Sequence, residues 1–408
     1  MTADLAGRKP LAFIFVTRLI DAIGFGIVMP VLPQLLLSMG APDIAAATRI
    51  GGYLLVTYAV LQFFCGPIVG NLSDRFGRRP VILVSLFAYG VDYALMGFAP
   101  SIFWLFIGRM IAGIAGAVYV PASAFVADVT PPEKRAHAFG LVSSAFGLGF
   151  ILGPGIGGLL GELGPRAPFF AAAALAGANF LFGVFVLPES LPRERRRAFD
   201  WRRANPLGVA ALLKHHPAVL VYALAMTAYF LGNNVYPSTW AFFMTAKFDW
   251  SPGMIGLSLM ATGVTMAVVQ ATLTGRMTAL LGGERAALLG LSLAAASALG
   301  YALVPAAWMV FVVILFGALQ AITYPSLNAL MSRQIPADAQ GELQGGLASL
   351  TSIANVAGPL LMTQTLGYFT SVNAPAHFPG AAFVLAAAIN TVGAVLIFSQ
   401  MRRGREEL

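Results

Sequence analysis

Long apolar runs alternate with short polar segments along the whole chain. Each run has about 20 residues, which lets a helix cross the roughly 30 Å hydrocarbon core of a bilayer. The pattern predicts an all-α membrane protein with twelve transmembrane helices. The predicted spans are residues 11–37, 47–70, 80–99, 101–127, 137–162, 167–188, 218–245, 252–275, 284–304, 306–332, 342–367 and 379–400.

The spacing of glycines, tyrosines and prolines in the first half recurs in the second half, at a fixed offset of 205 residues. The matching pairs are Gly70 and Gly275, Gly77 and Gly282, Tyr119 and Tyr324, Pro131 and Pro336, Gly140 and Gly345, Gly153 and Gly358, and Pro154 and Pro359. With six spans in each half, both halves enter the membrane from the same side. The recurrence therefore predicts two parallel six-helix repeats, residues 1–188 and 218–408, joined by a charged linker at 189–217.

Charge is scarce and unevenly distributed. Of the 408 residues, 58% are hydrophobic and 10% are charged, which is typical of a membrane protein rather than a soluble one. Basic residues gather in the loops on one side of the predicted spans, at Arg8, Lys9, Arg75, Arg78, Arg79, Lys134, Arg135, 193–214, Arg276, Arg285, Arg333, Arg402, Arg403 and Arg405. The opposite side carries only Arg49, Arg166 and Lys247.

This asymmetry places both termini in the cytoplasm. It also accounts for the net charge of +8 without a nucleic-acid partner. Histidines and the single cysteine show no metal-binding spacing, and no P-loop occurs, so we expect neither a metal, a cofactor nor enzymatic activity.

Four ionisable residues lie inside predicted spans, all in the first half: Arg18, Asp21, Asp92 and Arg109. A charge at mid-membrane costs at least about 2.5 kcal/mol, so such residues usually face a partner or a wet cavity. Arg18 and Asp21, three residues apart, share one helix face. They form either a static ion pair or a proton-loading site at Asp21. Asp92 could equally be a hydrogen-bonded structural carboxyl, and Arg109 its structural or coupling partner.

Two glycine-containing motifs suggest structural devices. In "GNLSDRFGRRP", Gly70 and Gly77 allow a tight turn beside the charged residues Asp74, Arg75, Arg78 and Arg79. The arginines alone could serve only membrane topology. In the fifth span, Gly149, Gly153, Gly157 and Gly161 recur every four residues beside Pro154. Such a stripe predicts close helix packing, and a role in sealing a cavity is the further hypothesis.

Polar and aromatic residues within spans are candidates for a substrate cavity. They are Tyr119, Asn233, Asn234, Tyr236, Gln270, Gln320, Tyr324 and Asn355, and Pro237 beside the asparagines predicts an irregularity in the seventh span. Amides in lipid also serve as interhelical hydrogen-bonding groups, so each residue could be structural instead. A cavity with few charges suits a hydrophobic or amphiphilic substrate.

Three stretches resemble motifs of the major facilitator superfamily: "GNLSDRFGRRP" at 70–80, "FIGRMIAGIAGA" at 106–117 and "GFILGPGIGG" at 149–158. More narrowly, "LIDAIGFGIVMPVLPQLL" at 19–36 and "DRFGRRPVILVSLFAYGVDYALMGFAP" at 74–100 resemble the tetracycline/proton antiporters of its twelve-helix drug-efflux branch.

The resemblance implies a transport role for Asp21, which matches the acid of the family's first helix, and Asp92 and Gln270 match an acid and a glutamine of that family. It also implies a gate in which Asp74 approaches the helix that starts near Gly341 and the loop arginines approach Asp128. The chain departs from that family at two positions. The family has an acid where this chain has Ala294–Ala296, and a histidine where this chain has Met266.

We therefore expect a monomeric antiporter of the bacterial inner membrane that exchanges protons for drug-like molecules. A physiological exporter or symporter of a metabolite or lipid-like solute is the alternative. A receptor or scaffold without transport activity would not need Asp21.

Overall fold

The computed structural model describes residues 2–200, 219–336 and 339–406, and the regular structure of these residues is helical. The α-helices are α1 Thr2–Val28, α2 Leu32–Ser38, α3 Ile44–Phe76, α4 Arg78–Phe98, α5 Ile102–Gly116, α6 Tyr119–Val129, α7 Arg135–Gly161, α8 Ala167–Val186, α9 Leu220–Asn233, α10 Val235–Phe248, α11 Pro252–Thr272, α12 Thr274–Leu281, α13 Gly283–Leu303, α14 Met309–Gly317, α15 Thr323–Arg333, α16 Gln340–Phe369 and α17 Ala381–Glu406. Single 3₁₀ turns connect several of them.

Eleven helical segments in the described part of the chain are long and apolar enough to cross a membrane. They are Leu11–Ser38, Ile44–Phe76, Arg78–Phe98, Ile102–Val129, Pro132–Gly161, Ala167–Val186, Pro252–Thr272, Gly283–Leu303, Met309–Arg333, Gln340–Phe369 and Ala381–Arg403. The chain is therefore an integral membrane protein. These segments coincide with eleven of the twelve predicted spans.

The predicted seventh span is divided into α9 and α10, which meet at Asn234. Pro237 has no backbone N–H, so the carbonyl of Asn233, four residues earlier, lacks its usual helical donor. The amide side chains of Asn233 and Asn234 also donate to the carbonyls of Tyr229 and Phe230 in the preceding turn, at 3.1 and 2.9 Å. The predicted irregularity is confirmed, and with α9 and α10 taken together the described helices agree with a twelve-helix fold.

Helix bounds repeat at the offset seen in the sequence. Helices α4 (78–98) and α13 (283–303) begin and end 205 residues apart. The glycines before them, Gly77 and Gly282, both have positive φ, at 104° and 78°, which a residue with a side chain rarely adopts. Pro154 and Pro359 both lie inside long helices, α7 and α16. The same turn and helix geometry is thus encoded twice.

The chain separates into two compact units whose boundaries differ from the predicted halves. Unit 1 comprises residues 1–40, 57–206 and 251–260, and unit 2 comprises residues 41–56, 207–250 and 261–408. The start of α3 thus belongs with helices of the second half, and the start of α11 with helices of the first. Residues 201–217 of the predicted linker lie outside the described residues.

Each unit has its own buried apolar cluster. In unit 1, Phe13, Ile82 and Phe125 are fully buried where α1, α4 and α6 meet. In unit 2, Leu291 and Leu327 are fully buried where α13 and α15 meet α9. Because lipid is as apolar as these side chains, close packing rather than exclusion from water holds the helices together.

The glycine stripe of α7 allows such close packing against α1. A Cβ atom on Gly149 would lie 2.5 Å from the carbonyl oxygen of Leu19, and one on Gly153 would lie 2.7 Å from that of Ile23. Gly157 meets the Ile27 carbonyl in the same way. The stripe therefore positions the helix that carries Arg18 and Asp21.

Candidate functional site

Arg18 and Asp21 form a loose pair on α1. Arg18 Nη1 lies 3.6 Å from Asp21 Oδ2, beyond ordinary hydrogen-bond length, and both side chains are 12% exposed. Arg18 Nε and Asp21 Oδ2 are buried without a hydrogen-bond partner among the described residues. The guanidinium lies over the rings of Tyr119 and Phe146, at 5.1 and 5.3 Å from their centroids. These rings stabilise the cation without neutralising it.

Asp92 and Arg109 form a tight pair between α4 and α5. Arg109 Nη2 donates to Asp92 Oδ2 at 2.7 Å, and the Asp92 side chain is 1% exposed. The same nitrogen lies 2.9 Å from the sulfur of Met96. A Cβ atom on Gly108 would lie 2.6 Å from Asp92 Oδ1, so the close approach of α5 requires glycine there. Asp92 Oδ1 and Arg109 Nε also have no hydrogen-bond partner among the described residues, so the two pairs differ in the hydrogen bond that Asp92 accepts from its arginine and Asp21 does not.

Tyrosines of α3 and α4 lie between the two ion pairs. The Tyr58 hydroxyl is hydrogen-bonded to Tyr89 and accepts a hydrogen bond from Gln62 Nε2 at 3.0 Å. Tyr89 stacks on Tyr93 with ring centroids 6.2 Å apart. The Arg109 guanidinium lies 6.0 Å from the Tyr58 ring centroid, and Asp21 is close enough to interact electrostatically with Tyr58.

Polar side chains therefore lie between the loose pair and the tight one. Sequence reasoning did not identify Tyr58, Gln62 or Tyr89. Hydroxyl and amide groups inside predicted spans were the available indication, but only the tertiary structure shows that these three side chains meet, beside Gly116 of α5.

Arg78 is the central cation of the loop motif between α3 and α4. Its Nη1 lies 2.5 Å from Asp74 Oδ1 and 2.6 Å from the Ser73 hydroxyl, and its Nε lies 3.4 Å from Asp128 Oδ2. Arg79 instead donates to the carbonyl of Val184 at 2.7 Å. The other loop arginine, Arg75, lies over the ring of Phe76 at 5.1 Å. The three arginines of the motif thus have three different environments.

Residues 189–200, which follow α8, lie against this loop. Glu189 Oε1 accepts a hydrogen bond from the Arg78 backbone N–H at 2.9 Å, and Glu189 Oε2 lies 3.5 Å from Arg196 Nη2. The Ser190 hydroxyl donates to Asp128 at 3.0 Å. Sequence reasoning assigned this stretch to a charged linker and missed these contacts, because nothing in the local pattern pairs Glu189 with a loop more than 100 residues earlier.

Candidate cavity residues of unit 2 include a pair of asparagines at the α9–α10 junction. Asn234 Nδ2 approaches the Ala354 carbonyl at 3.2 Å and Asn355 Oδ1 at 3.3 Å. A Cβ atom on Gly358 would lie 2.5 Å from the Asn234 Cβ. Asn234 therefore joins the junction to α16, while the exposed Asn355 keeps its amide donors available.

The other cavity candidates of unit 2 fall into two groups. Tyr236 packs against Trp240, Tyr301 and Phe383 with ring centroids about 6 Å apart, and its hydroxyl lies near the buried Gln320. The side chains of Gln270 and Tyr324 are exposed, and Tyr324 packs beside the ring of Phe230.

The positions that the resemblance aligns with an acid and a histidine of the tetracycline/proton antiporters are apolar. Ala294 and Ala295 are buried, Ala296 is exposed, and Ala294 belongs to the unit 2 core. Met266 packs against Val269 and Ala318. In the part of the chain that the structure describes, no three His, Cys, Asp or Glu side chains are placed to hold a metal ion.

Comparison with known families and proteins gives consistent matches. The sequence model described as the Major Facilitator Superfamily matches residues 14–359 and again residues 222–407. Tetracycline resistance protein, class C, of Escherichia coli is 43% identical over 385 residues, which are 93% of this chain and 96% of that protein. Multidrug resistance protein 2 of Bacillus subtilis (strain 168) is 28% identical over 88% of this chain and 90% of that protein.

Solved structures of transporters have the same fold. The human organic anion transporter MFSD10 (TETRAN) matches with a TM-score of 0.68 and 26% identity, over 96% of this chain and 99% of that one. A bacterial homolog to the human lysosomal transporter Spinster matches with a TM-score of 0.78 and 16% identity, over 97% of both chains. The second likeness concerns the fold alone.

Proposed function

This chain belongs to the major facilitator superfamily and is related over nearly its whole length to the tetracycline resistance proteins. From this premise we propose that it is a proton-coupled antiporter. It would export hydrophobic or amphiphilic drug-like small molecules by alternating access. The names of the related proteins, tetracycline resistance protein and multidrug resistance protein, support the export of drugs. We also propose the monomer as the working unit.

The observation that carries the proton coupling is the contrast between the two buried acids. The negative charge of Asp92 is balanced by Arg109 at 2.7 Å. Asp21 lies 3.6 Å from Arg18, and the Arg18 guanidinium also interacts with two aromatic rings. A carboxylate with a loosely held counter-charge changes its protonation state at a lower free-energy cost than one in a tight pair. Asp21 is therefore the proton carrier, and Arg109 holds Asp92 in the charged form.

The inward movement of a proton can drive export. Each charge that crosses the membrane contributes about 2.3 kcal/mol per 100 mV of potential, before any pH gradient is counted. Substrate and proton would compete for the region of Asp21, so that binding of one releases the other. The distribution of basic residues in the loops supports cytoplasmic termini, and the bacterial relatives support the inner membrane as the location.

The substrate need not be tetracycline itself. By the resemblance, Ala294–Ala296 stand where the related antiporters have an acid, and Met266 stands where they have a histidine. This difference favours, as a second candidate, an exporter or symporter of an endogenous metabolite or lipid-like solute. A neutral or weakly polar cavity in unit 2 would suit either substrate class.

Proton release on substrate binding tests the proposed coupling directly. Purified protein in weakly buffered detergent solution is mixed with tetracycline and with a panel of amphiphilic drugs and lipid-like solutes. We expect the wild-type chain to release protons with at least one of them and Asp21→Asn to release none, because asparagine cannot carry the proton. The Cys65→Ser variant is the matched control. Unchanged release from Asp21→Asn would contradict the assignment.

A further inference from the structure

The three basic residues on the side of the membrane that carries few cations, Arg49, Arg166 and Lys247, all bind helix carbonyls. Arg166 Nη1 donates to the Gly97 carbonyl at 3.0 Å, near the end of α4. Lys247 Nζ donates to the Ala302 carbonyl at 2.8 Å, near the end of α13. Arg49 Nη2 donates to the Gly367 carbonyl at 3.0 Å, near the end of α16. Carbonyls at a helix C-terminus lack helical donors and carry partial negative charge, so each cation is bound where the field favours it.

Arg49 differs from the other two in the helices that it joins. Arg166 and Lys247 each bind a helix of their own half of the sequence. Arg49 lies on α3 and reaches α16, more than 300 residues later. The contact is close: a Cβ atom on Gly367 would lie 2.7 Å from Arg49 Cγ, and Gly52 meets the Thr363 side chain one turn further along.

A carboxylate makes the opposite contact at the same side. Glu162, directly after α7, accepts a hydrogen bond from the Gly253 backbone N–H at 2.8 Å, in the first turn of α11. This bond and one from Ser251 lower the pKa of Glu162 below its ordinary value of 4.5, so the side chain is charged at neutral pH. Negative charge at a helix N-terminus matches the partial positive charge there.

The helices under this contact also pack backbone to backbone. A Cβ atom on Gly158 would lie 2.5 Å from the Pro252 carbonyl oxygen and 3.0 Å from the Gly256 Cα. Gly155 meets Met260 on the same face of α7. Contacts so short leave no room for a solute between α7 and α11 at this level.

We propose that Glu162 and Arg49 make two separate polar contacts, here called latches, that hold the outer side of the transport path closed. The two latch residues have opposite charge. Glu162 joins α7 to the start of α11, and Arg49 joins α3 to the end of α16. Both latches connect helices from different halves of the sequence, whereas Arg166 and Lys247 connect helices within one half. Release of the two latches would let these helix pairs separate and open the outer side.

Because this inference rests on the proposed transport by alternating access, the experiment measures opening without substrate. In a Cys65→Ser background, spin labels are attached to the variants Pro42→Cys and Val372→Cys. The distance between these labels reports the separation of the start of α3 from the end of α16. A second pair, Leu163→Cys and Met254→Cys, follows α7 against α11. These four side chains are exposed and lie outside the latches. Distance distributions are recorded in lipid nanodiscs.

We expect Arg49→Gln to lower the ratio of short to long distances at the first pair about tenfold, since a hydrogen bond to a charged group is lost. Glu162→Gln should do the same at the second pair. Arg166→Gln and Lys247→Gln remove similar bonds within one half and should leave both distributions unchanged. Arg49→Lys keeps the charge and should restore most of the short distances.

An unchanged distribution in Arg49→Gln or Glu162→Gln would overturn the assignment of that latch, and an equal shift in the two control variants would overturn both. Thermal unfolding in detergent identifies any variant that fails to fold, and Arg49→Lys then supplies the test for α3 and α16. If the expected shifts occur in a protein that transports none of the solutes, the latches stand and the proposed function fails. If the protein transports a solute but the expected shifts do not occur, the latches are overturned and the proposed function stands.

Discussion

Asp21 and Asp92 lie in the same unit and both have an arginine beside them, yet their surroundings differ. The Asp92–Arg109 contact is 2.7 Å long and almost fully buried, while the Arg18–Asp21 separation is 3.6 Å. In a tight buried pair each charge compensates for the desolvation of the other, so neither can change without a large cost. A loose pair allows one partner to gain or lose a proton. This difference underlies the proposed division of roles.

We expect Asp92→Asn to lower the stability of the protein by about 3 kcal/mol, because the buried guanidinium of Arg109 would lose its counter-charge. Asp21→Asn should have a much smaller effect, since Arg18 also interacts with Tyr119 and Phe146. Thermal unfolding of both variants in the same detergent gives the comparison. Equal unfolding midpoints for the two variants would show that the two pairs are held alike.

The segment 189–200 turns the loop between α3 and α4 into a fixed structure. Gly77 has φ 104° and ψ 157°, a conformation that is essentially restricted to glycine. Glu189 and Arg196 occupy the place that a Cβ atom on Gly77 would take. The loop therefore depends on glycine twice, once for its backbone and once for the docking of the segment. Gly282, its counterpart in the repeat, has φ 78° but nothing within 4 Å.

Gly77→Ala and Gly282→Ala separate these two requirements. Both substitutions should cost about 1–3 kcal/mol in backbone strain. Gly77→Ala should cost more, because it also displaces the Glu189 carboxylate from the Arg78 backbone N–H. Thermal unfolding measures the stabilities, and limited proteolysis after Arg195 and Arg197 reports release of the segment. Equal losses in the two variants, without new cleavage, would show that Glu189 adds nothing.

Ionisable side chains within the described spans are distributed very unequally between the two sequence halves. Both buried ion pairs lie in unit 1, while the corresponding helices of unit 2 bury alanine, asparagine and aromatic side chains. We infer that, if the proton is carried in unit 1 alone, the conformational change can occur without the proton. Proton coupling and conformational change are then separable properties of the molecule.

We therefore expect Asp21→Asn to retain substrate exchange while losing accumulation. In proteoliposomes, counterflow of labelled substrate should continue at a rate within about tenfold of wild type, because a neutral carrier site still permits reorientation. Uptake driven by an imposed pH gradient should fall to the level of empty vesicles. Loss of both activities would show that Asp21 is needed for the movement, and retention of both would show that another group carries the proton.

The order of hydrophobic and polar residues by itself determined the membrane spans, the repeat at 205 residues and the irregular seventh span, since these follow from local helix length and from proline chemistry. It also located the four buried charges, because an ionisable residue among apolar ones is visible without coordinates. Only the tertiary structure decided which pairs are tight or loose, and that Glu189 binds the α3–α4 loop. The bonds of Arg49 and Glu162 to helix ends far away in the sequence likewise required the fold. Distances between side chains on different helices depend on packing, which no local pattern specifies.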